Sequence, residues 1–275
     1  MPPRNPKKKK EKVLRPIFPN AGLEAAYRKR LYALIDEMQN SVLYWIKAAW
    51  RANEPEMAAA VAELAEDELP VVAIARALRK LTQRWRRKFT DLSKFLGNWF
   101  VQSASDRSDA ALRAALKRGG MSVEFKMTPA QRDVIAAATE ESVSLIKSIP
   151  ERYLTDVEGL VMRSAAAGRD LGTLTKEIRG RYGVTKRRAA LIARDQNNKV
   201  HAQLQRARQI ELGIKEAVWM HSSAGKKPRW QHVKMNGQRY NVVEGMWDPV
   251  EKKKIFPGQL INCRCTGRSV VPGFT

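Results

Sequence analysis

The sequence predicts an α+β fold, a mainly α-helical body with a small β-rich C-terminal module. Three observations predict it. Over most of residues 21–213, apolar residues recur every three or four positions, the period of a helix buried on one face. After Gly213 that period gives way to short β-type runs separated by turn residues. Of the 275 residues, 44% are hydrophobic, which is enough to build a core and excludes a chain that is disordered throughout.

The elements follow in order. Residues 1–20 are rich in Pro and Lys, have little to bury, and read as a flexible basic arm. From Ala21 to about Trp50 a helix buries Leu23, Tyr27, Leu31, Leu34, Met38, Val42, Trp45 and Ala49. Glu54-Pro55-Glu56 starts an Ala-rich helix, with Pro in the first turn and acids at the positive end. Pro70 opens the next, with Ile74, Leu78, Leu81, Trp85, Phe89, Leu92 and Leu96 inward and the basic residues of 76–88 to the sides. Asp106 or Ser108 caps a helix to Leu116 that Gly119-Gly120 stops.

Thr128-Pro129-Ala130-Gln131 offers a hydroxyl N-cap, Pro at N1 and Gln at N3. The helix behind it carries Val134, Ile135, Ala138, Val143, Leu145, Ile146 and Ile149, and Pro150 ends it. Short helices follow through Val161 and Leu174–Ile178, and Gly180 and Gly183 bracket a turn. Thr185 caps a long basic helix with Ala189, Ile192, Ala193, Gln196, Val200, Leu204, Ala207 and Ile210 inward, ending at Gly213. Val218–Met220, Gln231–Val233, Arg239–Val243 and Cys263–Val271 read as strands. Asn236-Gly237, Gly245, Pro249 and Pro257-Gly258 separate them. The division is an arm over 1–20, a helical body over 21–184, and a module over 185–275.

Lys and Arg number 51 against 28 Asp and Glu, a net charge of +23. Such a charge repels itself unless an acidic partner neutralises it, and nucleic acid is the leading partner class. The candidate DNA contacts are Arg4, Lys7, Lys8, Lys9, Lys10 and Lys12 in the arm, and Arg84, Arg86, Arg87 and Lys88. Taken singly, each run reads first as a solvated face; the total does not. The acidic stretch from Glu54 to Glu68 suits a protein neighbour. No apolar run of about 18 residues occurs, so no transmembrane helix is expected. Met1-Pro2-Pro3-Arg4 has no apolar segment behind it and does not read as a secretory signal. Two cysteines exclude a disulfide framework and point to a reducing cytoplasm or a particle assembled there.

The usual catalytic signatures are missing. Ala224-Gly225-Lys226-Lys227 lacks the upstream Gly and the hydroxyl of a phosphate loop, and no G-x-S-x-G or H-E-x-x-H occurs. No catalytic residue is assigned and no enzyme is expected. His221, His232, Cys263 and Cys265 supply the nitrogen and sulfur donors that zinc takes, and four such residues make a closed structural site. The other reading is two cysteines packed as small hydrophobes beside a histidine bonded to backbone. On that reading no cofactor is present. Trp219, in an apolar strand, reads as core. Trp230, beside Lys227 and Arg229, is the better surface candidate of the two, with packing still favoured.

Several runs stand together in the last third of the chain. They are Ile192-Ala193-Arg194-Asp195-Gln196-Asn197-Asn198-Lys199, Gly213-Ile214, a strand with Trp219, Arg229-Trp230-Gln231-His232, Asn236-Gly237, and Pro257-Gly258-Gln259-Leu260-Ile261-Asn262-Cys263-Arg264-Cys265. From about Ala193 to Pro272 the chain resembles the phage Mu F-like family of minor capsid proteins, also called phage head morphogenesis proteins. Trp219, Arg229, His232, Pro257, Gly258, Cys263, Arg264 and Cys265 carry the structural motif. Some relatives have C-x-x-C where this chain has Arg229-x-x-His232, and a His near Leu260. That difference favours hydrogen bonding and packing over metal in holding the module. The resemblance implies a low-copy component of a tailed-phage or prophage head, assembled in the bacterial host cytoplasm and located in the virion head interior. Its implied partners are the portal protein, a major capsid or scaffold protein, and double-stranded DNA contacted without sequence preference. The alternative is a metal-dependent nuclease or toxin-like effector; with the sequence ending at Thr275, soon after the Cys pair, no appended effector is expected. A DNA-binding regulator using the Thr185–Gly213 helix lacks a second helix at the required distance.

Overall fold

The computed structural model describes residues 10–52, 70–167, 170–223 and 227–274. Arg4, Lys7, Lys8 and Lys9 and the helix start expected at Glu54-Pro55-Glu56 lie outside them. The described chain is helical with a small antiparallel sheet, the α+β class the sequence predicts. Its helices are α1 (Ala21–Ala52), α2 (Pro70–Arg118), α3 (Pro129–Ala166), α4 (Leu171–Glu211) and α5 (Trp230–Met235). Its strands are β1 (Lys10–Val13), β2 (Glu216–Met220), β3 (Arg239–Asn241), β4 (Met246–Asp248), β5 (Lys253–Ile255) and β6 (Thr266–Phe274). No described helix is long and apolar enough to cross a membrane.

Asn20 starts α1 by accepting the Leu23 amide at 2.8 Å. The buried row is Leu23, Tyr27, Leu31, Ile35, Met38, Val42, Ile46 and Trp50. Leu34, Trp45 and Ala49 were each expected one position too early. Apolar residues adjacent in sequence leave the phase of a stripe open, and here Trp45 is exposed. α2 runs through Asp106 and Ser108 without restarting. Buried Ser108 accepts Gln205 Nε2 on its carbonyl at 3.1 Å and on its hydroxyl at 2.6 Å. Asp106 accepts from Gln102 at 2.9 Å. Their polar groups are occupied by side-chain partners, so neither caps a new helix. α2 stops as expected: the Met121 amide reaches the Leu116 carbonyl at 2.9 Å around Gly120, whose φ is +90°.

Thr128 caps α3, its Oγ1 accepting the Gln131 amide at 3.3 Å. Pro150 does not end the helix, which continues to Ala166. One lost amide bond costs about 3 kcal/mol. Buried Ile149, Tyr153, Leu154 and Val157 on both sides of the proline offset it. α4 likewise fuses the short helix, the expected Gly180–Gly183 turn and the basic helix into one. Its start is Asp170, which accepts the Thr173 amide at 2.8 Å. Thr185 donates back to the Arg181 carbonyl at 3.0 Å instead of capping. Gly213, φ +68°, ends the run as expected, with the Ile214 amide on the Gln209 carbonyl at 2.9 Å.

The chain groups into two compact units. Unit 1 takes the described parts of Met1–Glu24, Trp99–Ala138 and Arg194–Thr275; unit 2 takes those of Ala25–Asn98 and Thr139–Ala193. In unit 1 the sheet order is β1-β6-β2-β3, antiparallel throughout. Glu216 pairs with Val270 and Met220 with Thr266. Residues 10–13 are therefore not a free arm: Val13 pairs with Val270, and Leu14 is buried in the unit 1 core. Gln231–Val233, expected as a strand, lies in α5. Gln231, His232 and Met235 face inward there at helical spacing, while Trp230 and Val233 face out. Cys263 and Cys265 precede β6 instead of lying on it, after Asn262 at φ +60°. β4 and β5 form a separate hairpin, Met246 opposite Ile255.

Candidate functional site

The unit 1 core gathers around Trp219 on β2, which is fully buried. Its ring meets His232 edge-on at 5.3 Å and Tyr240 at 5.9 Å. α5 thereby sets His232 between two groups. On one side Nδ1 lies 3.5 Å from Cys263 Sγ and 3.6 Å from Cys265 Sγ. On the other, Nε2 lies 3.6 Å from Asp248 Oδ2 at the end of β4. Asp248 is 0% exposed. Its Oδ1 accepts the Val250 and Glu251 amides at 2.8 and 3.1 Å. His232 Nε2 and Asp248 Oδ2 make no hydrogen bond.

The electrostatics follow from these contacts. The Cys265 thiol hydrogen-bonds to Cys263 and is the largest influence holding Cys263 far below the ordinary thiol range; burial opposes it and His232 assists. The same bond, with burial, pushes Cys265 up. The pair thus gives up its first proton readily and its second with difficulty. Burial pushes the Asp248 carboxyl up. The Glu251 and Val250 amides, Gln231 and His232 together outweigh it, and the carboxyl stays below its usual range.

The thiols face an open cleft of about 710 Å³ lined by Arg194, His221, Lys227, Arg229 and Arg264. His221 lines this cleft but stands outside the group whose donor atoms lie within 4.8 Å of one another, which is His232, Cys263 and Cys265. The four-residue closed set is therefore not assembled. Trp219 is core, as expected. Trp230 is not packed: it is 54% exposed, with the Lys234 ammonium 4.9 Å from its ring.

The remaining motif residues hold backbone. Arg229 donates to the Ile261 carbonyl at 3.0 Å. Asp195 on α4 accepts the Asn262 amide at 2.6 Å and pairs with Lys199 at 3.1 Å. Asn197 donates to the Asn20 carbonyl at 3.2 Å. Gly258, φ +81°, sits so close to α4 that a Cβ would meet Ala202 Cβ at 2.8 Å. Pro257 is buried beside it, and Arg264 is half-buried. Asp248 was not singled out from the sequence, and Asp195 stood in the family-like run with no role given to it. The signal for a role at Asp195 was the run Asp195-Gln196-Asn197-Asn198: four consecutive polar residues point round most of a helix, and all four are buried, so α4 is covered on nearly every side there.

The candidate DNA contacts separate. In β1, Lys12 donates to the Gly119 carbonyl at 3.0 Å, and Lys10 is a backbone partner of Phe274. In unit 2, Arg86 pairs with Glu151 at 2.8 Å, while Lys88 pairs with Glu37 and lies 5.0 Å from the Trp85 ring. Arg84 and Arg87 are exposed, have no acidic partner among the described residues, and line a shallow cleft on α2 with Lys80.

This site, built from α4, the sheet and the Cys loop, lies largely within a stretch shared with known proteins. Residues 155–268 match the Phage Mu protein F-like family, and the chain carries a Mu F-like region. At the level of that family the role is phage head morphogenesis, that of a minor capsid protein. Over 195 residues the chain is 30% identical to an uncharacterized protein of Haemophilus influenzae, a match covering 70% of this chain and 42% of that one. The chain thus spans less than half the length of this relative. No solved structure matches.

Proposed function

We propose that the chain is a minor capsid protein of a tailed phage or prophage that acts in procapsid assembly. In this reading it associates with the portal protein and with the major capsid or scaffold protein in the bacterial host cytoplasm. It then remains in the virion head interior, touching packaged double-stranded DNA without sequence preference. One observation carries the proposal: the Mu F-like region spends its motif side chains on structure. Arg229, Asp195 and Asn197 bond backbone and Gly258 admits it. Such a region suits assembly better than turnover, and no enzymatic role is assigned. The charge of +23 supports the DNA contact, with exposed Arg84 and Arg87 its best-placed candidates in the described chain.

Mass spectrometry of purified procapsids and virions tests the placement; absence from both overturns it. Co-purification with portal protein tests that association, and charge reversal across 54–68 asks whether the acidic stretch serves it. For DNA, the logarithm of affinity should fall linearly with the logarithm of salt. Arg84→Glu with Arg87→Glu should flatten that slope by about 2, at roughly 0.9 per phosphate contact. An affinity indifferent to salt removes the electrostatic contact.

A further inference from the structure

We propose that His232 Nδ1, Cys263 Sγ and Cys265 Sγ form a three-donor site for a zinc-class cation. In this site Asp248 fixes the imidazole and the fourth coordination position faces the basic cleft. Three features of the geometry lead there. The first is spacing. In a tetrahedral zinc site, with Zn–N of about 2.0–2.1 Å and Zn–S of about 2.3 Å, neighbouring nitrogen and sulfur donors sit about 3.5 Å apart. The two separations here are 3.5 and 3.6 Å. An imidazole nitrogen has a single in-plane lone pair or a single proton, so it serves one thiol well and not two at equal range. A cation between the three atoms satisfies all of them.

The second feature is the far side of the ring. Asp248 Oδ2 and His232 Nε2 are buried, unbonded and 3.6 Å apart. A carboxylate placed there fixes the proton on Nε2 and leaves the Nδ1 lone pair for a metal, the usual arrangement behind metal-bound histidine. A divalent cation also offsets the negative charge that two thiolates and Asp248 would otherwise bury together.

The third is the composition of the cleft. His221 lies outside the donor group, and the cationic side chains lining the cleft, Arg194, Lys227, Arg229 and Arg264, do not ligate. The described residues therefore supply three donors. The cleft brings solvent to the fourth position, and Arg194, Lys227 and Arg229 along its wall favour water or an anion there over another protein cation.

Metal analysis of the full chain after dialysis against zinc should give one equivalent. Replacement by cobalt should give the visible bands of a tetrahedral site with thiolate charge transfer. Asp248→Asn keeps the three donors and should weaken zinc binding about 10–100-fold. His221→Ala should leave binding and spectrum unchanged. Cys265→Ser should lose thiolate intensity. Should that variant fail to fold, the unmodified protein still decides the matter: bound zinc should shield both thiols from alkylation, and a chelator should restore their reaction. Substoichiometric zinc, a spectrum that depends on His221, or thiols that react equally with and without zinc would overturn the site.

Discussion

Arg208→Met removes a guanidinium that is 2% exposed and holds three segments of unit 1. Its Nε and Nη2 meet Asp109 of α2 at 2.9 and 2.6 Å, and its Nη1 meets Glu211 at 2.7 Å and the Lys126 carbonyl at 2.8 Å. The ring of Phe125 lies 4.8 Å away. Four charged hydrogen bonds at about 1.5–3 kcal/mol each would suggest a loss above about 6 kcal/mol. That sum overstates the effect, because the Asp109 and Glu211 side chains are 19% and 30% exposed and recover water once released. Breaking a buried pair from one side costs about 3–5 kcal/mol, and the exposure of the acids places this case near 3 kcal/mol. Urea unfolding followed by circular dichroism should show that loss as a lower midpoint. Hydrogen exchange should locate it in α4 and in α2 around Asp109. Arg208→Met combined with Asp109→Leu removes the stranded carboxylate and should recover at least half of the loss. A cost under about 1 kcal/mol for the single variant, or no recovery in the double, would refute the account of a buried pair whose main penalty is the orphaned charge.

Two further changes probe the backbone and the pH response. Gly258→Ala adds a Cβ at φ +81° and against Ala202, and should cost about 2–3 kcal/mol in urea unfolding. Gly180→Ala, inside α4 with nothing within 4 Å, should instead stabilise by about 0.5–1 kcal/mol; similar effects at both sites would show that local space is not the cause. Burial depresses His201 to about 4, only partly opposed by its contact with the Ile17 carbonyl at 3.1 Å. The unfolded imidazole binds its proton near pH 6.5 and the native one near 4. Stability is thus fully present above about pH 6.5 and falls by about 3 kcal/mol as the pH drops toward 4. His201→Gln should lose that part of the acid sensitivity while the carboxylates keep theirs; parallel curves for the two proteins between those pH values would exclude His201 as the source.

Residue type and spacing made the inner faces of the long helices readable, because a helix that buries one side must repeat its apolar residues. Breaks in those helices were misjudged. Pro150, Gly180 and Gly183 are local stop signals, yet buried side chains on either side carry the helix through them. α5 was misread because Gln231–Val233 is too short to show a period, and the β-branched Val233 between turn residues suits a strand as well as the exposed side of a short helix. β1 was invisible for another reason: its partner lies at the far end of the chain, and a lysine-rich edge strand has no apolar pattern of its own. At the site, His232, Cys263 and Cys265 were evident from their chemistry, whereas His221 belonged to the list by type alone. Asp248 was hidden because Asp before Pro249 reads as a turn residue, and it does accept the turn amides while its other oxygen turns inward.

The pairing of β1 with β6 also has a timetable. Val13 meets Val270, so 257 positions separate two hydrogen-bonded neighbours (270 − 13). At ribosomal rates of about 5–20 residues per second, the first strand emerges roughly 13–50 s before the one that receives it. All four long helices among the described residues are synthesised in that interval. The sheet edge is thus finished last, after the helices have had time to form. A strand carrying Lys10 and Lys12 resists pairing with strangers while it waits.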